Sequence, residues 1–546
     1  GPCAYNLRML LSRQCLGIPS LRLAIRMLVS SLAVLMIGAC AARGSTPGLP
    51  APSPNPQDRQ ETLEPTPPAS PTLQPTEQPQ ALILKVPTEW AQAASGALAQ
   101  VNEDGGLHKW QLDVGVPSVE DVDVGWVDAV LIEATGGIPT GDRPIALAVP
   151  FTSQWGELTL EQAETVLRDG SEFIQAMDWA DMQPGMKSLL VGGYHPSDRE
   201  YPIRRSFSLV ANPRAQEALD VLIPILRSSI ESDPHIELAA VGDLMLARSI
   251  GAALEAGDVA YPFEFVAEQL QGADLTIGNL ESALGTGGGP EDKGYTFQAP
   301  PEAVPALASA GFDLLSLANN HAMDFGPQQL IDAIETLQEH GIATVGAGRD
   351  DAAAHHPYWV DQDGLTLAFL SFVDVPQEFR GFDTRSWSAR EVAPGVAWAD
   401  PQEMQAEIER AKQRADLVVV LLHSGYEYVP QPSQAQVQAA RAALQAGADL
   451  VLGHHAHILQ PVEFNPGGVI VYGLGNFVFE DAGPAESALL KVWLDPDGVR
   501  ELQFLPVRLD ETGRPVPLDG QAAADILASI YSYTDAWRSQ TPARTP

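Results

Sequence analysis

From residue 236 onward the chain alternates short apolar runs with longer segments of helical period, a pattern that predicts buried strands joined by helices. The runs at 236–241, 275–277, 314–317, 417–422, 450–452 and 469–472 hold few polar members, as strands covered on both faces require. Segments 327–340, 402–414 and 433–446 read as helices. The first is opened by Gly326-Pro327, because the fixed φ of proline suits a first helical turn. Asp495-Pro496-Asp497-Gly498 reads as a hairpin turn between two late strands. Strand and helix in this succession predict an α/β fold with a mainly parallel sheet.

Upstream the pattern changes. Apolar runs at 82–84, 129–132 and 145–149 and an Ala-rich helix at 89–100 predict a smaller α/β domain over 81–230. Residues 41–80 are dominated by Pro, Thr, Gln, Ser and Glu, too polar to bury a core, and predict a disordered linker extending roughly 3 Å per residue. The uncharged apolar run at 27–39 has the length of a signal peptide's core and is short for a membrane span. It ends in Ile37-Gly38-Ala39-Cys40, which resembles the lipobox of bacterial lipoproteins. That resemblance implies a lipoprotein signal region at 1–40, lipidation of Cys40 and an extracytoplasmic protein anchored to the bacterial cell membrane. An ordinary secretory signal with an incidental cysteine is the alternative.

Composition narrows the partners. The 546 residues carry 32 Lys and Arg against 70 Asp and Glu, a formal charge of −38 that argues against a nucleic-acid partner and against simple adhesion to anionic lipid. Cys3, Cys15 and Cys40 all lie near the N-terminus, so the globular part has neither a disulfide framework nor a thiolate metal site. A metal there needs nitrogen and oxygen ligands.

Such ligands recur where the apolar runs end. Asp243 follows the first run by one glycine; Asn279 and Glu281 follow the second; Asn320 and His321 follow the third; His423 ends the fourth; and His454, His455 and His457 follow Gly453. In open α/β sheets the carboxyl ends of strands are where loops converge on ligands. Carboxylate, amide oxygen and imidazole together suit one or two divalent ions of Mn, Fe or Zn. Singly, each histidine reads as an ordinary hydrogen-bonded side chain and Asn320 as a turn cap; only their joint recurrence points to a metal. Asp324 reads as the cap of the helix at Pro327, and His355-His356-Pro357 as a solvated loop. Glu427 reads as an acid beside the ligands or as an exposed loop carboxylate, and Gly473-Leu474-Gly475-Asn476 as tight packing beneath the site.

Six segments, in order and spacing, resemble the CapA family: Gly242-Asp243-Leu244-Met245, Gly278-Asn279-Leu280-Glu281, Asn319-Asn320-His321-Ala322-Met323-Asp324, His423-Ser424-Gly425-Tyr426, Gly453-His454-His455-Ala456-His457 and Gly473-Leu474-Gly475-Asn476. The family is associated with poly-γ-glutamate capsule synthesis and export, and its domain is similar to calcineurin-like metallophosphoesterases. The resemblance covers about residues 236–480. It implies a metallophosphoesterase-like four-layer α/β/β/α sandwich at 235–515, with a helix and tail at 516–546. It further implies metal ligands at Asp243, Glu281, Asn320, His423, His455 and His457, with Asn279 beside Glu281. His321 and Asp243 are then the catalytic residues, His321 acting on the substrate or leaving group, and His454 and Glu427 are candidates for an additional ligand or substrate contact. Two departures stand out. The phosphoesterase Asp-x-His opening is here Asp243-Leu244-Met245, and Gly-Asp-x-x-Asp is Gly278-Asn279-Leu280-Glu281, which leaves open one metal in place of two, or a different activity.

The phrase over 144–170, with Tyr201-Pro202-Ile203-Arg204-Arg205 and the strand at 207–210, resembles type 2 periplasmic solute-binding proteins; a generic accessory α/β domain is the alternative. Two functions are expected in competition. One is a metal-dependent hydrolase or transferase acting on a phosphate ester or polymer linkage. The other is a non-catalytic protein that binds an anionic polymer or scaffolds a capsule export complex.

Overall fold

A computed structural model describes residues 81–540 except 104–108, 135, 152 and 482. The signal region with Cys40, the linker at 41–80 and residues 541–546 lie outside them.

The first part is built on a seven-stranded sheet backed by helices, with a small two-stranded sheet, Glu157–Leu158 on Leu190–Val191, beside it. Its elements are β1 (Ala81–Val86), α1 (Ala91–Glu103), β2 (Lys109–Val114), β3 (Ala129–Glu133), β4 (Ile138–Pro150), α2 (Leu160–Asp169), β5 (Gln175–Asp178), β6 (Met186–Ser188), β7 (Arg204–Ala211) and α3 (Gln216–Glu231). Strand order is β2-β1-β3-β7-β4-β5, with β6 also on β4. Alternate residues Leu82, Leu84 and Val86 face a core filled by Ala94, Leu98 and Val101 of α1 and Leu219, Leu222 and Leu226 of α3. Helix α2 begins at a capping box in which Thr159 and Gln162 satisfy each other's backbone N–H groups, and stops at Gly170 with φ 76°.

The second part holds two larger sheets. One contains β8 (Ile236–Leu244), β9 (Leu275–Leu280), β10 (Leu314–Ser316) and β11 (Ala343–Val345), all parallel. The other is built on β12 (Tyr358–Gln362), β13 (Leu365–Asp374), β14 (Leu417–Ser424), β15 (Leu450–His454), β16 (Val462–Asn465) and β17 (Gly468–Val471), in the order β12-β13-β14-β15-β17-β16. The chain then returns to the first of these sheets with β18 (Asn476–Val478), β19 (Glu486–Asp495), β20 (Gly498–Leu509) and β21 (Pro515–Pro517). Strands β19 and β20 are joined at the turn read from Asp495 to Gly498.

Side-chain alternation makes these sheets a sandwich. Leu238, Ala240, Leu367, Phe369, Val419, Leu421, Leu450 and Leu452 point inward to one shared core. Their neighbours Ala239 and Val241 point outward to the helices of one face, among them the segment Ala303–Ala310 and Pro327–Glu339. Ala368, Leu370, Val418, Val420 and Val451 point outward to Pro401–Lys412 and Gln434–Gln445 on the other. The fold is therefore the four-layer α/β/β/α arrangement. A terminal helix, Gly520–Gln540, closes one end of the sandwich with Ile526, Ile530 and Tyr531.

The two parts share a core. Phe151, just past β4, enters the inter-sheet core against Phe464 and Tyr531, each at 5.4 Å between ring centroids. Glu501 of β20 is wholly buried against the first part, where it accepts from Trp179 Nε1 (3.1 Å) and Ser188 Oγ (2.8 Å).

Candidate metal centre

Asp243 lies inside β8, not after it, because the strand continues through Gly242. A Cβ at position 242 would stand 1.9 Å from the Gly475 carbonyl oxygen, so only glycine lets these backbones meet. Asp243 N then donates to that oxygen at 2.9 Å. Gly453 lies equally close to the Tyr472 carbonyl, 1.9 Å from a would-be Cβ, and its own carbonyl accepts from Leu474 N at 3.0 Å. The glycine segment is thus the tight packing expected beneath the site, and it adds Asn476, whose Oδ1 accepts from His457 Nδ1 at 2.8 Å.

Register brings the remaining residues together. Asp243 is paired with Asn279 on one side and Asn476 on the other, and His423 with His454, so carboxyl ends of strands from both sheets meet at one edge. Glu281 is completely buried there. His423 Nε2 is 3.4 Å from Glu281 Oε1, and His457 Nδ1 is 3.4 Å from Asp243 Oδ2 and 3.9 Å from Glu281 Oε2. Asn320 Oδ1 lies 2.7 Å from His423 Nε2. Two ligand triads result, Glu281-His423-His455 and Asp243-Glu281-His457, with ligand atoms within 4.8 Å of one another and Glu281 common to both. A third, Glu427-His455-His457, uses an exposed carboxylate.

Both oxygens of Glu281 and Nδ1 of His455 are buried without a hydrogen-bond partner among the described residues. A buried carboxylate left so is costly, and converging orphaned ligand atoms are what a cation satisfies. The donor set fits a divalent ion of the kind held by imidazole and carboxylate.

The electrostatics agree. Burial first, and then the neighbouring Asp243, hold the Glu281 carboxyl well above the usual carboxylate range. Asp243 goes the other way: against its burial, the hydrogen bond from His457 and the surrounding imidazoles hold it below that range. Burial and then His457 push His455 down to about 3, and burial with His455 holds His423 well below the ordinary value. These imidazoles are neutral at pH 7, the form that ligates. His457 is raised, because Asp243 outweighs its burial. His455 (φ 82°) and His457 (φ 56°) both occupy the left-handed region, which costs a non-glycine residue roughly 1–3 kcal/mol and is typical of functional sites.

Other expected residues take supporting places. Asn279 Nδ2 donates to Asp243 Oδ1 at 2.8 Å, while its Oδ1 accepts from Asn319 Nδ2 at 3.1 Å, so it orients Asp243 and does not turn its oxygen to the cluster. His454 is buried with Nε2 3.3 Å from the Val241 carbonyl and joins neither triad of buried ligands. His321 sits beside the cluster, its Nδ1 2.7 Å from Asp324 Oδ2. Asp324 does not cap the helix at Pro327, whose N-cap is Gly326 without a side-chain bond. Its carboxylate instead accepts from Lys293 Nζ (2.8 Å) and Phe297 N (2.6 Å), a long-range clamp that local sequence cannot show. In the expected solvated loop only His356 is exposed; His355 is buried, with Nδ1 3.0 Å from the Asp351 carbonyl at the end of a helical turn. Lys293, Phe297, Asn319 and Asn476 were missed as site residues. Asn319 and Asn476 lay within the recognised segments, but nothing in the sequence singled out Lys293 or Phe297.

Residues 237–481 match the family described as bacterial capsule synthesis protein PGA_cap. The PGA biosynthesis protein CapA of Bacillus subtilis is 33% identical over 314 residues, which cover 56% of this chain and 81% of that protein. The chain belongs to the CapA family. A second member, the capsule biosynthesis protein CapA of Bacillus anthracis, is 32% identical over 52% of this chain and 69% of its own. A solved phosphatase from Mycoplasma pneumoniae aligns with 50% of this chain and 94% of its own at 12% identity and a TM-score of 0.32. All the ligand candidates of this CapA-family chain, from Asp243 to His457, lie within the matched span.

Proposed function

We propose that this chain acts at the bacterial cell surface in poly-γ-glutamate capsule biosynthesis or export, as a metal-dependent hydrolase or transferase working on a phosphate ester or polymer linkage. Family membership supports the process, and the observation that carries the metal is Glu281: buried, without a hydrogen-bond partner among the described residues, and shared between two ligand triads. Asp243, Glu281, Asn320, His423, His455 and His457 would hold one or two ions of Mn, Fe or Zn. A bound divalent ion supplies Lewis acidity toward an anionic or carbonyl-bearing group. The chain's own residues supply orientation and proton transfer. With Nδ1 of His321 committed to Asp324, and Asp324 held by Lys293, the nitrogen left to exchange a proton with a leaving group is Nε2. Anchoring through Cys40 and the stalk at 41–80 belong to the same proposal, as does contact with an export complex.

One observation favours the second reading, a non-catalytic binder of an anionic polymer. Met245, where the phosphoesterase pattern has a ligating histidine, is buried in an apolar cluster with Ala247, Phe297 and Phe479 and offers no ligand. The test is elemental analysis of untagged protein and of His423→Ala, together with turnover of a phosphodiester in added Mn. Metal lost in the variant with turnover by the parent supports the enzyme. Metal without turnover of any ester or γ-glutamyl substrate transfers the site to binding, and no metal in the parent rejects the centre.

A further inference from the structure

Two cations border the metal-binding cluster. Lys293 is spent: its fully buried side chain pairs with Asp324 and Glu378, each at 2.8 Å, and donates to the Asn320 carbonyl. Arg248 is not. It lies five residues beyond Asp243, exposed, with Nη1 donating to the Glu480 carbonyl at 2.9 Å and Cζ 5.0 Å from the centroid of the Phe297 ring. No ion pair among the described residues includes it. The carboxylate of that Glu480 is engaged elsewhere, one oxygen accepting from Ser249 N and the other from Ser249 Oγ, both at 2.8 Å.

Position and backbone single out the same residue. Arg248 opens the helix Arg248–Glu255 at φ 55°, the left-handed conformation that long side chains rarely adopt. The Phe297 ring beneath its guanidinium also meets the His321 ring at 4.4 Å. Phe297 further touches Phe479 at 5.8 Å, and Phe479 touches His457 at 5.0 Å. The cluster thus has an aromatic border on which one guanidinium is laid, with Nε and Nη2 unbonded among the described residues. Those two N–H groups lie side by side and form the fork that a carboxylate accepts.

We propose that Arg248 anchors a side-chain carboxylate of an anionic γ-glutamyl polymer at the border of the metal-binding cluster and sets the register of the chain across it. The proposal rests on the reading of that cluster as a site for such a polymer. A phosphate would meet the same fork, so the test separates the two oxyanions.

Full-length protein, Arg248→Gln and Arg248→Lys are titrated with a γ-linked glutamate oligomer, with its methyl ester and with inorganic phosphate, and bound metal is measured on each sample. Expected is parental metal content in both variants, oligomer affinity lowered about tenfold or more in Arg248→Gln, partial recovery in Arg248→Lys, and weak, equal binding of the ester by all three. Unchanged oligomer affinity in Arg248→Gln, or a loss confined to phosphate, overturns the proposal. A parent that binds metal but no oligomer also overturns it and leaves the metal centre standing. A parent without metal, in which Arg248→Gln still weakens oligomer binding, keeps Arg248 and removes the metal reading.

Discussion

Replacing Glu281 by glutamine keeps the side chain's shape and removes its charge, and the consequence should reverse sign with metal. In the metal-free protein the Glu281 carboxylate is fully buried, has no hydrogen-bond partner and faces Asp243. Its pKa is therefore raised on folding, so the native state keeps a proton that the unfolded chain releases. Metal-free stability from this group is complete below about pH 4.3 and is lost as pH rises toward the folded-state pKa. Glutamine cannot titrate, so this slope disappears. At pH 7 the metal-free variant should equal or exceed the parent by about 1–3 kcal/mol, the usual cost of an unsatisfied buried polar group. With metal the order inverts. An ion present at about 100 times its Kd adds about 2.7 kcal/mol to a protein that binds it. At about 2–4 °C per kcal/mol, the parent should gain roughly 5–10 °C in melting temperature, and Glu281→Gln little or nothing. Calorimetry of chelator-stripped protein, with and without Mn or Zn and with metal content measured in parallel, reads both arms. A variant that keeps parental metal content and the same metal-induced shift would refute the reasoning. So would a metal-free variant melting several degrees below the parent, since the carboxylate would then be satisfied by the protein itself.

Four other outcomes are expected. Glu501→Ala should cost about 3–5 kcal/mol in urea unfolding, because it strips a buried carboxylate from Trp179, Ser188, His195 and Gln503. Against burial, His195 and those donors hold this carboxyl at about 2, so the parent's advantage over Glu501→Gln should be full above pH 4.5 and fade as pH falls toward 2. Gly453→Ala should abolish metal binding and lower stability by about 3 kcal/mol or more, read by elemental analysis and thermal melting, since its Cβ would stand 1.9 Å from the Tyr472 carbonyl oxygen. Burial and His457 push His455 down to about 3, so the contribution of this imidazole to metal-free stability should fade as pH falls from about 6.5 toward 3, and the difference in melting temperature between the parent and His455→Gln should shift in the variant's favour over that window.

Much of this could be read from residue order. Strands at 236–241, 417–422 and 450–452 were legible because a strand covered on both faces is apolar throughout, and helices at 327–340 and 433–446 because their period and their opening residues agree. The ligand candidates were legible because each follows an apolar run, and strand ends are where an α/β sheet exposes side chains. Other features needed the tertiary structure. Periodicity could not tell that Leu238 faces the opposite sheet while Ala239 faces a helix, since an all-apolar strand has no marked face. Asp324 looked like a helix cap because capping is a local rule, whereas its actual partners lie 27 and 31 residues away.

The sequence by itself determined the class of fold, the family and the kinds of atoms available to a metal, because these depend on residue type, order and spacing along one chain. Only the tertiary structure decided which of those atoms converge. It left Glu281 between two triads without a hydrogen-bond partner among the described residues, turned the oxygen of Asn279 toward Asn319, drew Lys293 into the clamp on Asp324, and laid Arg248 beside Phe297 outside any ion pair among the described residues. Convergence depends on strand register between two sheets and on backbones that approach within a hydrogen bond at Gly242 and Gly453, and neither is a property of any local stretch of sequence.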